Sequence, residues 1–114
     1  LETKPRLFSY VHLPAFDETA EGWLDDEDIR HVQQILSENP HAGDVVPGTG
    51  GLRKLRIAAS GKGKRGGGRL LYLYVHVRGV IYFVAVFAKS AQENLTRADY
   101  RVLTQLVEHL KKER

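Results

Sequence analysis

Lysine and arginine carry most of the chemistry this sequence offers. It contains no cysteine, which excludes a thiol nucleophile, a thiolate metal site and a disulfide scaffold. His12, His31, His41, His76 and His109 are scattered without ligand spacing, and residues 45–92 hold no carboxylate. The basic region thus lacks the clustered acids of a magnesium-dependent active site, which disfavours metal catalysis there. What remains is Lys54 and Arg56 two positions apart on one strand, Arg69 at the start of a second and Lys89 at the end of a third. If these strands pair as hairpins, four cations converge, and the loop carrying Lys62, Lys64 and Arg65 is able to close over them. Like charges so crowded are tolerable when an anion fills the gap, and crowding lowers a lysine pKa enough for it to act as a base near neutrality. The arginines would grip a phosphate and stabilise charge building on it. Arg53 adds a further phosphate contact. Phe87, two positions before Lys89, would stack a base; a place in the core is an equal alternative for it.

Cations without metal, thiol or carboxylate suit one reaction in particular. RNA brings its own nucleophile, the 2′-hydroxyl. A protein need only deprotonate it, align it with the adjacent phosphorus and stabilise the phosphorane and leaving 5′-oxygen. The product would end in a 2′,3′-cyclic phosphate or a 3′-phosphate, and DNA would be inert. The same residues would also serve a module that grips phosphates without cutting, and a solvated basic loop is the plainer alternative.

The elements that must position these residues are legible from pattern. Residues 6–13 are aromatic and β-branched, a short strand. Pro14 suits the first position of a helix with Phe16, Ala20 and Trp23 on one face. A second helix begins near Leu24–Asp25, its opening acids matching the positive end of the helix dipole. Ile29, Val32, Ile35 and Leu36 form its apolar stripe, and Asn39-Pro40 ends it. Residues 45–51 read as a turn-rich linker. Leu52 to Ala59 alternates, so Leu55 and Ile57 share one face and Lys54 and Arg56 the other. Gly61 to Gly68 reads as a mobile cationic hairpin loop. Arg69–Val77 and Val80–Ala88, joined by a turn at Arg78-Gly79, are apolar on both faces, as central strands of a covered sheet are. Thr96 to Lys112 is an amphipathic helix with a Thr96/Asp99 capping pair and Leu103, Leu106, Val107 and Leu110 as its stripe. The order β-α-α-β-β-β-α predicts an α+β fold, helices packed on a mainly antiparallel sheet.

At 114 residues, 42% hydrophobic and 27% charged, the chain is sized for a single domain (1–114) with one core, and wholesale disorder is excluded. No apolar run is long enough to span a membrane, and Leu1–Pro5 has no apolar signal region, so a cytoplasmic protein is expected. The net charge of +3 conceals segregation: residues 1–44 carry −7 and residues 45–92 carry +9. Such a block reads as an anion-binding surface, with nucleic acid the first polyanion to consider. Gly61-Lys-Gly-Lys-Arg-Gly66 matches G-x-G-x-x-G, but a strand follows it where a dinucleotide site needs a helix. No cofactor is expected.

Three segments also carry a family likeness: Asn39 to Ile57, with its Gly-Thr-Gly-Gly-Leu-Arg-Lys block; Gly61 to Tyr72; and Phe87 to Leu95. They resemble the HigB branch of the RelE/ParE toxin superfamily, over about Asp25 to Leu110. The resemblance implies a RelE-like fold and a small bacterial toxin that cleaves mRNA in the ribosomal A site. It also implies a cognate helix-turn-helix antitoxin through which the pair contacts operator DNA. Carried over by position, Lys54 and Arg56 stand for paired catalytic strand cations, Arg69 for the phosphate-stabilising arginine and Lys89 for a cation of the last strand. Phe87 stands where a tyrosine is common, which removes a proton donor. Some relatives poison gyrase and lack the cations, so the basic cluster favours the ribonuclease branch.

Overall fold

The computed structural model describes residues 7–58, 67–88 and 96–113. Its elements run β1 (Ser9–His12), α1 (Pro14–Ala20), α2 (Asp26–Glu38), β2 (Asp44–Val45), β3 (Arg53–Ile57), β4 (Gly68–Val75), β5 (Val80–Ala88) and α3 (Arg97–Lys112). They form a five-stranded sheet in the order β1-β5-β4-β3-β2. β1 lies parallel to β5, and the other pairs are antiparallel. The expected α+β fold and mainly antiparallel sheet are borne out. Among the described residues, no helix is long and apolar enough to cross a membrane.

Local chemistry explains the helix boundaries. Pro14 opens α1, and Trp23 lies past its end, its N–H donating to the Ala20 carbonyl. Asp25 and Asp28 form a reciprocal capping box at the start of α2. Thr96 and Asp99 do the same for α3, the pair expected from spacing. Each box satisfies two N–H groups that have no partner within the helix.

The two faces of the sheet carry separate cores. On one face α1 and α2 bury Phe16, Val32 and Leu36 against Leu55, Ile57, Leu70, Tyr72 and Phe83. On the other, α3 packs Val107 and Leu110 against Leu71, Leu73, Val75, Tyr82 and Val84. Arg78, in a 3-10 turn at His76–Arg78, anchors the far end of α3 by donating to the carbonyls of Leu110 (2.7 Å) and Lys111 (3.1 Å). That turn, with Gly79 in the left-handed region (φ 62°), ends β4 at Val75, two residues short of the expected Val77.

Two further features were not read from pattern. Val45, expected to open the turn-rich linker, and Asp44 just before it pair with Arg53 and Lys54 and add an edge strand. A register shift at Leu71/Tyr72 sets Ala85 opposite Leu71 but Phe83 opposite Tyr72. The extra residue, Val84, is a β-bulge. Val84 and Ala85 consequently both face α3, and the positions after them are re-phased.

Candidate nucleic-acid interface

Register decides which cations meet. In β3, Lys54 pairs with Leu71 and Arg56 with Arg69. Arg69 in turn pairs with Phe87 of β5. Directly opposed residues of antiparallel strands point to the same face, so Arg56, Arg69 and Phe87 form one row across three strands. Lys54 lies two residues along on the same face. The row continues the surface that α3 covers through Leu71 and Ala85. Arg56 is exposed, whereas Lys54, Arg69 and Phe87 are half-buried. Two guanidinium groups opposite one another repel, and a phosphate between them removes the repulsion while accepting their N–H groups. The bulge at Val84 brings Phe87 onto this face, because regular alternation from Phe83 would have turned it away.

The underside holds the row in place. Gly68 pairs with Ile57 and Ala88 on the α1–α2 side. A Cβ added there would lie 2.1 Å from Trp23 Cη2. The indole of Trp23 therefore packs directly on the backbone beside Arg69. Gly67 has φ 65°, and a Cβ there would meet the Ile57 carbonyl at 2.2 Å. Glycine at both positions lets the strand ends close up.

Arg53 goes elsewhere. It pairs with Tyr72, on the face opposite Lys54 and Arg56. Its Nη1 donates to the carbonyls of Gly43 (2.7 Å) and His41 (3.2 Å). The buried Tyr72 completes this anchor, its hydroxyl donating to the Pro40 carbonyl (2.8 Å) and accepting from Gly43 N–H (3.0 Å). Burial raises the Tyr72 phenol above its usual range, opposed by the Gly43 hydrogen bond and the charge of Arg53. Lys62, Lys64, Arg65 and Lys89 lie outside the described residues. His76 sits exposed in the 3-10 turn, with its ring 5.8 Å from that of Tyr74.

One residue beside the row is not apparent as a site residue in the sequence. Asp44 pairs with Lys54 across β2 and β3, and it is the one carboxylate within the five described strands. It stands just outside the acid-free stretch, and a two-residue strand has no alternation to betray it. The signal that finds it is the Asp44–Lys54 register, which is tertiary. Among the described residues, no group of three or more His, Cys, Asp or Glu side chains is placed to hold a metal. What the row offers chemically is fixed positive charge, an ammonium and an aromatic face arranged across adjacent strands.

Set against known protein families, residues 16–114 match the model of a family described as the RelE toxin of the RelE / RelB toxin-antitoxin system. The match runs from within α1 to the end of the chain and includes every residue of the row.

Proposed function

The chain belongs to the RelE toxin family of type II toxin–antitoxin systems, and from that premise we propose that it is a ribosome-dependent, metal-independent mRNA endonuclease. The observation that carries the reading is the cross-strand row Arg56–Arg69–Phe87 with Lys54 beside it. A RelB-type antitoxin partner is implied by the family. The Gly-Thr-Gly-Gly-Leu-Arg-Lys block supports the narrower reading of a HigB-branch toxin with a helix-turn-helix antitoxin, acting in the cytoplasm.

In the proposed reaction, Arg56 and Arg69 clamp the scissile phosphate and Phe87 stacks on an adjoining base. Lys54 takes the proton of the 2′-hydroxyl, whose oxygen attacks the neighbouring phosphorus. The arginines stabilise the phosphorane charge. The P–O5′ bond then breaks, the 5′-oxygen takes a proton from Lys89, and a 2′,3′-cyclic phosphate is left. Phe87 supplies a stacking surface but no proton.

Expression without a partner, followed by mapping of message ends, tests the reading. Growth arrest with cuts in translated messages is the expected result, abolished by Lys54→Ala or Arg69→Ala in folded protein. Intact messages with a DNA-damage response would indicate a gyrase poison, and harmless expression would overturn the proposal.

A further inference from the structure

Asp44 is the odd residue of the site, a carboxylate set next to cations that are to receive a polyanion. By itself it weakens RNA binding, since like charges repel. Its position is nonetheless built with care. Gly43, the residue before it, approaches so closely that an added Cβ would lie 2.9 Å from both the Lys54 carbonyl oxygen and Tyr72 Cε1. The N–H of Gly43 donates to the Tyr72 hydroxyl and its carbonyl accepts from Arg53. On the other side, Val46 N–H donates to the Leu52 carbonyl (2.8 Å), and the buried Thr49 hydroxyl donates to the Val46 carbonyl (2.7 Å). A strand of only two residues is thus clamped at both ends, and the side chain it delivers beside Lys54 is that of Asp44.

We propose that Asp44 is a positioning residue for the cleavage reaction: its carboxylate, opposite Lys54 in the β2–β3 pair, directs the Lys54 amino group and stabilises the charge it gains on taking the proton. The inference rests on the ribonuclease reading above. Lysine has a long, flexible stem and no preorganised fork. On its own face, the described neighbours toward β4 and β5 are the apolar Leu71 and Ala85 and the cationic Arg56 and Arg69. The cations push the Lys54 head away, and the apolar pair has no means of holding it. Asp44 supplies the missing counter-charge from the flank. When Lys54 takes the 2′-hydroxyl proton, the new ammonium forms opposite the Asp44 carboxylate, which lies exposed on the edge strand, and opposite charges at paired strand positions attract. No bond to Asp44 forms or breaks, and the proton stays on Lys54.

The test is single-turnover cleavage of a programmed message on ribosomes by wild type, Asp44→Asn and Asp44→Glu, with thermal melts to establish folding. The expected result is a rate constant at saturating ribosome about tenfold or more lower for Asp44→Asn. Its half-saturating concentration is expected to be unchanged or lower, since a negative charge has been removed, and Asp44→Glu should regain most of the rate. A merely superficial carboxylate predicts tighter binding with an unaltered rate, which would overturn the inference and leave the ribonuclease reading standing. A wild type that cuts nothing overturns both.

Discussion

At the scale of single residues, the alternation Arg53-Lys54-Leu55-Arg56-Ile57 sorts three cations into two jobs. Lys54 and Arg56 face the proposed RNA side, while Arg53 ties down the turn at residues 41–43. Arg56→Ala or Arg69→Ala should lower cleavage by about a hundredfold or more, the range seen when a preorganised charge-stabilising group is removed. Rates measured on folded variants check this. Arg53→Ala should act first on stability, by about 1 kcal/mol for its hydrogen bonds, as read from denaturant melts. Tyr72→Phe removes the hydroxyl that bridges Pro40 and Gly43 and leaves both backbone groups unpaired, a destabilisation of about 2 kcal/mol near neutrality. The sign with pH follows from the raised phenol. Stability owed to neutral, buried Tyr72 is fully present below the ordinary tyrosine value of 10.0 and declines as pH rises through its higher folded value. The gap between wild type and Tyr72→Phe should therefore narrow in strongly alkaline melts.

At the scale of elements, what was readable in the sequence was whatever depends on local periodicity and end chemistry. The stripes of α2 and α3, the Thr96/Asp99 cap and the alternation of β3 are properties of segments a few turns long. The β-bulge at Val84, the two-residue β2 and the resulting Asp44–Lys54 neighbourhood depend on pairing between distant segments. Alternation along one strand does not encode them. Even so, the convergence of Arg56 with Arg69 follows from a hairpin whose register the flanking apolar pattern already constrains. Element packing also makes a prediction at Gly68. Gly68→Ala would drive a methyl into Trp23 at 2.1 Å and toward the Phe87 carbonyl at 2.8 Å. Overpacking of this kind costs about 3 kcal/mol. Trp23 is the sole tryptophan, so its fluorescence should shift together with a lowered melting temperature.

At the scale of the whole molecule, charge and architecture divide along the same line. Residues 1–44, which supply α1 and α2, carry a net charge of −7, while residues 45–92, which supply β3, β4 and β5, carry +9. α1 and α2 cover the face of the sheet opposite the Arg56–Arg69 row, so the acids that open α2 lie across the sheet from Lys54, Arg56 and Arg69. A polyanion is steered toward one side and repelled from the other. Binding to single-stranded RNA should weaken linearly on a logarithmic salt axis. Replacing Lys54, Arg56 and Arg69 together by alanine should reduce that slope by about 2, at roughly 0.7 for each phosphate that is no longer neutralised. That the attacking group is the message's own ribose 2′-hydroxyl can be checked with a ribosome-bound message whose scissile nucleotide is either ribose or 2′-deoxyribose. The ribose message should be cut to leave a 2′,3′-cyclic phosphate or 3′-phosphate, and the deoxy-substituted message should survive intact. Cleavage of the deoxy message at the same position, or ends carrying a free 3′-hydroxyl, would contradict attack by the 2′-hydroxyl.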